Sequence, residues 1–67
     1  MDINTIKKYI NKNVMITCKN NWKYKIFLKK EYITETGLSF NGMHGEPVDF
    51  DFDFISFITI SNVGGYN

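Results

Sequence analysis

The sequence predicts a mainly β domain: a short N-terminal helix followed by a five-stranded, strongly bent antiparallel small barrel. Three observations carry this. The apolar period changes from helical to alternating near residue 13. The alternating runs are short and are separated by turn dipeptides. The chain has 67 residues, and once the helix is set aside too few remain for a two-layer sandwich of useful size. Short strands in so little chain roll up on themselves, which also removes most free edges.

Residues 2–11 read as the helix. Ile3, Ile6 and Ile10 fall at helical spacing with Tyr9 beside them. Asp2 suits the N-terminus, and Lys7, Lys8 and Lys12 suit the other end of the dipole. Asn11 and Asn13 are candidate terminators. So short a helix must dock on the rest of the domain to be stable.

Val14, Ile16 and Cys18 then alternate with Met15, Thr17 and Lys19, a half-buried first strand. Asn20-Asn21 marks a hairpin, because Asn tolerates positive φ. In the second strand Trp22, Tyr24, Ile26 and Leu28 share one face, expected to be the core. Lys23, Lys25, Phe27 and Lys29 share the other. The third strand runs through Tyr32 and Ile33 or, on the stronger pattern, through Leu38 and Phe40 after Gly37. Asn41-Gly42 opens a tight loop closing near Gly45, and Pro47 begins a fourth strand, where Pro is permitted. From Val48 to Asp53 the alternation is cleanest, with Val48, Phe50 and Phe52 opposed to Asp49, Asp51 and Asp53. Phe54-Ile55-Ser56 reads as a single helical turn. Phe57 to Ser61 is the fifth strand, with Ile58 and Ile60 on one face. Residues 1–62 form one domain, and 63–67 read as a frayed tail.

An N-terminal helix, five strands and one turn between the last two resemble the Sm-like barrel, a relative of SH3-like barrels. The residues carrying the resemblance are Ile6-Lys7-Lys8-Tyr9-Ile10, Val14-Met15-Ile16-Thr17, and Phe52-Asp53-Phe54-Ile55-Ser56-Phe57-Ile58-Thr59-Ile60. It spans about residues 3–61 and is one of architecture and apolar pattern. It implies an RNA-binding or protein-assembling module, including homo-oligomers joined strand four to strand five. The chain departs from the family pattern where Lys25, Ile26 and Phe27 occupy the stretch that usually carries a bending Gly. The Asp-x-x-x-Asn type segment is matched only loosely by Glu35 to Asn41, and the basic residue followed by Gly before strand five is missing. The resemblance therefore extends to the fold and not to the family's RNA pocket.

All eight lysines lie between residues 7 and 30, and six of the seven acids lie between 31 and 53. The net charge of +1 thus conceals opposite charges in the two halves. There is no Arg, so phosphate could be met only by lysine point charges, without a guanidinium fork. Aromatic content is high at 16%, which supplies large buried side chains to a chain whose length buries only about 60% of its unfolded surface. With one cysteine, Cys18, the chain can form no internal disulfide and reads as cytoplasmic. No apolar run approaches a membrane span, and the N-terminal apolar residues are spaced unlike a signal peptide.

The chemistry-bearing residues argue against an enzyme. Cys18 falls on an apolar strand face, where thiols are inert. His44 stands alone in a glycine-flanked loop. Asp49, Asp51 and Asp53 step along a strand by roughly 7 Å each, a ladder rather than a cage for a metal. Neither phosphate-loop nor dinucleotide glycine patterns occur, so no cofactor is expected. Two binding surfaces remain. Lys19, Lys23, Lys25, Phe27, Lys29 and Lys30 form a candidate surface for RNA or single-stranded nucleic acid. Asp49, Asp51 and Asp53 form a candidate surface for a protein with a basic face, an inhibitor-like role. In so small a domain the two sets could also neutralise each other.

Overall fold

The computed structural model describes residues 1–61; the expected tail at 63–67 lies outside them. Five strands form two antiparallel sheets, accompanied by one short helix. Helix α1 (Ile3–Lys7) is capped by Asp2, whose Oδ1 accepts the Thr5 N–H at 2.8 Å. That hydrogen bond holds the Asp2 carboxyl below its ordinary value. The α-helix is shorter than the 2–11 expected. The N–H groups of Tyr9, Ile10 and Lys12 donate three residues back, as in the 3.0 Å bond from Tyr9 N–H to the Ile6 carbonyl. Asn11, at φ 66°, then breaks the screw. Its N–H donates to the Leu28 carbonyl at 2.7 Å, tying the helix exit to the second strand. Ile6, wholly buried, is the side chain that docks the helix.

β1 (Asn13–Cys18) is the central strand of the larger sheet, between β2 (Lys23–Phe27) and β5 (Ile55–Ile60). Val14, Ile16 and Cys18 are buried as the alternation requires. The hairpin closes through the Cys18 N–H on the Trp22 carbonyl at 2.8 Å, with Asn21 at φ 70°. Asn20 Oδ1 accepts the Trp22 N–H at 3.1 Å. Tyr24 and Ile26 are half-buried and Leu28 is fully buried. Trp22 departs from its expected place in the core: it is 63% exposed. It precedes β2 in the hairpin turn, where strand parity no longer fixes which way a side chain is covered, and it leans on Tyr24 with ring centroids 6.4 Å apart.

Residues Lys30–Tyr32 form a 3-10 turn, so the third strand is the later of the two candidates, β3 (Gly37–Asn41). Ile33 makes only a single bridge to Leu38. β3 pairs with β4 (Pro47–Asp51), and Gly37 is required there because a Cβ would strike the Phe50 carbonyl oxygen and Asp51 backbone. The fourth strand stops two residues before the expected Asp53. Its 3-10 turn is Phe52–Phe54 rather than 54–56, and it puts Phe52 into the core. The facing sides of the two sheets meet through aromatic rings. Tyr24 contacts Phe40 edge-on at 5.7 Å and Phe50 at 5.8 Å, and Phe40 and Phe50 are themselves edge to face at 6.0 Å.

β5 begins at Ile55, earlier than the expected Phe57, and carries a bulge. Ile16 lies opposite Ile58 and Thr17 opposite Phe57, yet Cys18 lies opposite Ile55. The extra residue, Ser56, reverses the parity, so Ile55 and Ile58 both reach the core although three positions apart. Ile60 keeps the parity of Ile58, but at the strand end it stays 56% exposed.

Candidate nucleic-acid interface

The second strand is an edge: β2 pairs with β1 and with no other strand among the described residues. Its register places Lys25 opposite Met15, Lys23 opposite Thr17 and Phe27 opposite Asn13. β5 continues the same outer face, with Phe57 opposite Thr17 and Thr59 opposite Met15. Lysines line one border of this face, and two exposed aromatics, Phe27 at 44% and Phe57 at 49%, stand on its outer strands. Phe57 lies far from the lysines in the chain and reaches this face only through pairing with β1, so the lysine pattern does not reveal it.

All five candidate lysines are exposed. They do not form one patch. Lys23 and Lys25 project from β2 and line a cleft with Tyr24, Met43, His44 and Glu46. Lys19 sits in the β1–β2 turn, its N–H donating to the Phe54 carbonyl at 2.9 Å. Lys29 and Lys30 begin the 3-10 turn, where Lys30 borders a separate depression with Lys7, Ile3 and Ile10.

The acids are held elsewhere. Asp49 and Asp51 point outward from β4, whose paired strand is β3, and face Ser39 and Gly37 rather than a lysine strand. Asp53 has left the ladder for the 3-10 turn. The three still border one shallow depression, with Phe50 and Phe54.

Cys18 is buried and free, and burial pushes its thiol up. His44 is exposed, and its backbone N–H donates to Glu46 Oε1 at 2.9 Å. Among the described residues, no group of three His, Cys, Asp or Glu side chains converges as a metal site. No helix among them is long and apolar enough to cross a membrane. No protein-family model, curated protein or solved structure matches this chain.

Proposed function

We propose that this chain is a binding module without catalytic activity. It is built on a small barrel of the Sm-like or SH3-like kind, and it takes single-stranded nucleic acid, RNA in the first instance, along β2. The barrel reading is supported by the split of strands into β2-β1-β5 and β3-β4, with a 3-10 turn leading into β5. The observation that carries the functional reading is the placement of Lys23, Lys25 and exposed Phe27 on one outward face of an edge strand, in a different sheet from the one that carries Asp49 and Asp51. Lysines follow a phosphate backbone while an exposed aromatic stacks a base, a combination that tolerates any sequence. The test is titration of labelled single-stranded RNA and DNA over a range of salt. Binding that weakens steeply with salt is expected, and absence of binding at low salt overturns the reading.

A second reading rests on the depression formed by Asp49, Asp51, Asp53 and the exposed Phe54. An aromatic ringed by carboxylates suits a partner with a basic face. Changing the three aspartates together to Asn abolishes capture of such a partner if this reading holds, and leaves capture unchanged if it does not.

A further inference from the structure

The cleft beside β2 has a volume of about 490 Å³, within the range of small-ligand sites. Tyr24, Phe40 and Met43 supply apolar and aromatic wall, Lys23 and Lys25 supply positive charge, and Glu46 is the carboxylate at its border. The Glu46 carboxylate is held in place. Oε1 accepts the His44 N–H at 2.9 Å, and the group lies against Gly42, where a Cβ would collide with it. The turn itself is closed by the Gly42 N–H on the Glu46 carbonyl at 2.7 Å. Burial first, then negative charge on Cys18 and Glu46, pushes the Tyr24 hydroxyl up.

From this geometry we infer that the cleft is a guanine-selective base pocket. It rests on the reading of β2 as a single-strand surface and adds to it a preferred base. Among the four bases, guanine alone presents two parallel N–H donors on its pairing edge, N1–H and N2–H, and they match the two oxygens of a carboxylate. Adenine and cytosine offer one amino group next to an acceptor nitrogen, which a carboxylate repels. Uracil offers one N–H between two carbonyls. The aromatic wall takes the face of the ring, and Lys23 and Lys25 take the adjoining phosphates. Met43, 91% exposed at the loop tip, is placed to cover the other side.

The test compares heptauridylate with strands carrying one central guanine, adenine or cytosine, by fluorescence anisotropy at low salt. The guanine strand is expected to bind at least about fivefold more tightly than the other three, the lower end of what a bidentate base contact discriminates. Glu46→Gln removes the double acceptor, and Gly42→Ala displaces the carboxylate while retaining it. Each is expected to erase the preference, with a circular dichroism spectrum like that of the wild type reporting an intact fold. Equal affinity of the wild type for all four strands overturns the proposal, as does a preference that survives both variants. If no strand binds, the single-strand reading falls by itself, and amide shifts on adding guanosine or adenosine monophosphate decide the pocket. Shifts at Gly42, His44 and Glu46 specific to the guanine nucleotide support it as a free-nucleotide site. Identical responses to both nucleotides overturn it.

Discussion

Thr17 is 5% exposed, and its hydroxyl has no hydrogen-bond partner among the described residues. A buried hydroxyl left unpaired costs roughly 1–3 kcal/mol, whereas an apolar group of the same shape costs nothing of the kind. Thr17→Val is therefore expected to leave the fold unchanged and to stabilise it by about 1 kcal/mol; a urea midpoint that falls would contradict this. Cys18, its neighbour, tells against high pH. Its folded value lies above the ordinary 9.0, so the folded state resists losing the proton that the unfolded chain gives up. Stability from this source is intact below pH 9.0 and declines as pH rises toward and through the folded value. Tyr24 adds a similar decline above its ordinary 10.0. Urea midpoints measured from neutral to strongly alkaline pH should fall for the wild type. Cys18→Ala, starting from a lower baseline, should fall less over the first part of that range, and an equally steep curve would rule out the thiol as the cause.

At the scale of elements, what could be read from the sequence was decided by whether one face of a strand is buried along its whole length. β1 satisfies that condition. Val14, Ile16 and Cys18 repeat every second residue, and the structure buries all three. The hairpin at Asn20-Asn21 was legible for a local reason, since Asn21 takes the positive φ its side chain tolerates. β5 fails the condition. The bulge at Ser56 places core residues three apart, a spacing that imitates a helical turn, so the sequence predicts a turn at 54–56 and a strand that begins only at Phe57. Deletion of Ser56 makes the ladder regular and leaves Ile55 and Ile58 two positions apart, both still on the core face. Each is nearly fully buried, and loss of one such side chain costs about 2–5 kcal/mol, comparable to the whole stability of a domain this size, roughly 3–10 kcal/mol. The deletion variant is therefore expected to fold by circular dichroism, while Ile55→Ala, which removes one of the two side chains, is expected to lower the urea midpoint sharply. An unfolded deletion variant would mean that the core depends on the bulge itself and not on the alternation it interrupts. The cleft beside β2 was illegible for another reason. Lys23 and Glu46 are brought together only by the meeting of two sheets, and neither residue's neighbours in the chain announce the other.

Taken over the whole molecule, the opposite charges of the two halves are not cancelled by strand pairing. β2 lies at the edge of one sheet and β4 in the other, and the partners of Asp49 and Asp51 in the ladder are Ser39 and Gly37. The two surfaces consequently make opposite demands on any polyanion, and charge changes on each separate the two functional readings. Each lysine that neutralises a phosphate on a single strand contributes about −0.7 to the slope of log affinity against log salt. Lys23→Gln with Lys25→Gln should therefore make that slope shallower by about 1.4 and weaken binding to all sequences alike. Neutralising Asp49, Asp51 and Asp53 to Asn should act in the other direction. Removing three negative charges raises the net charge from +1 to +4, which strengthens long-range attraction to the strand. Because these residues do not contact the phosphates in this reading, the slope should change far less than the affinity. Anisotropy titrations of both variants at several salt concentrations check the pair of expectations together. An aspartate variant that loses affinity for the strand would place the acids inside the interface and overturn the assignment of β2 as its site.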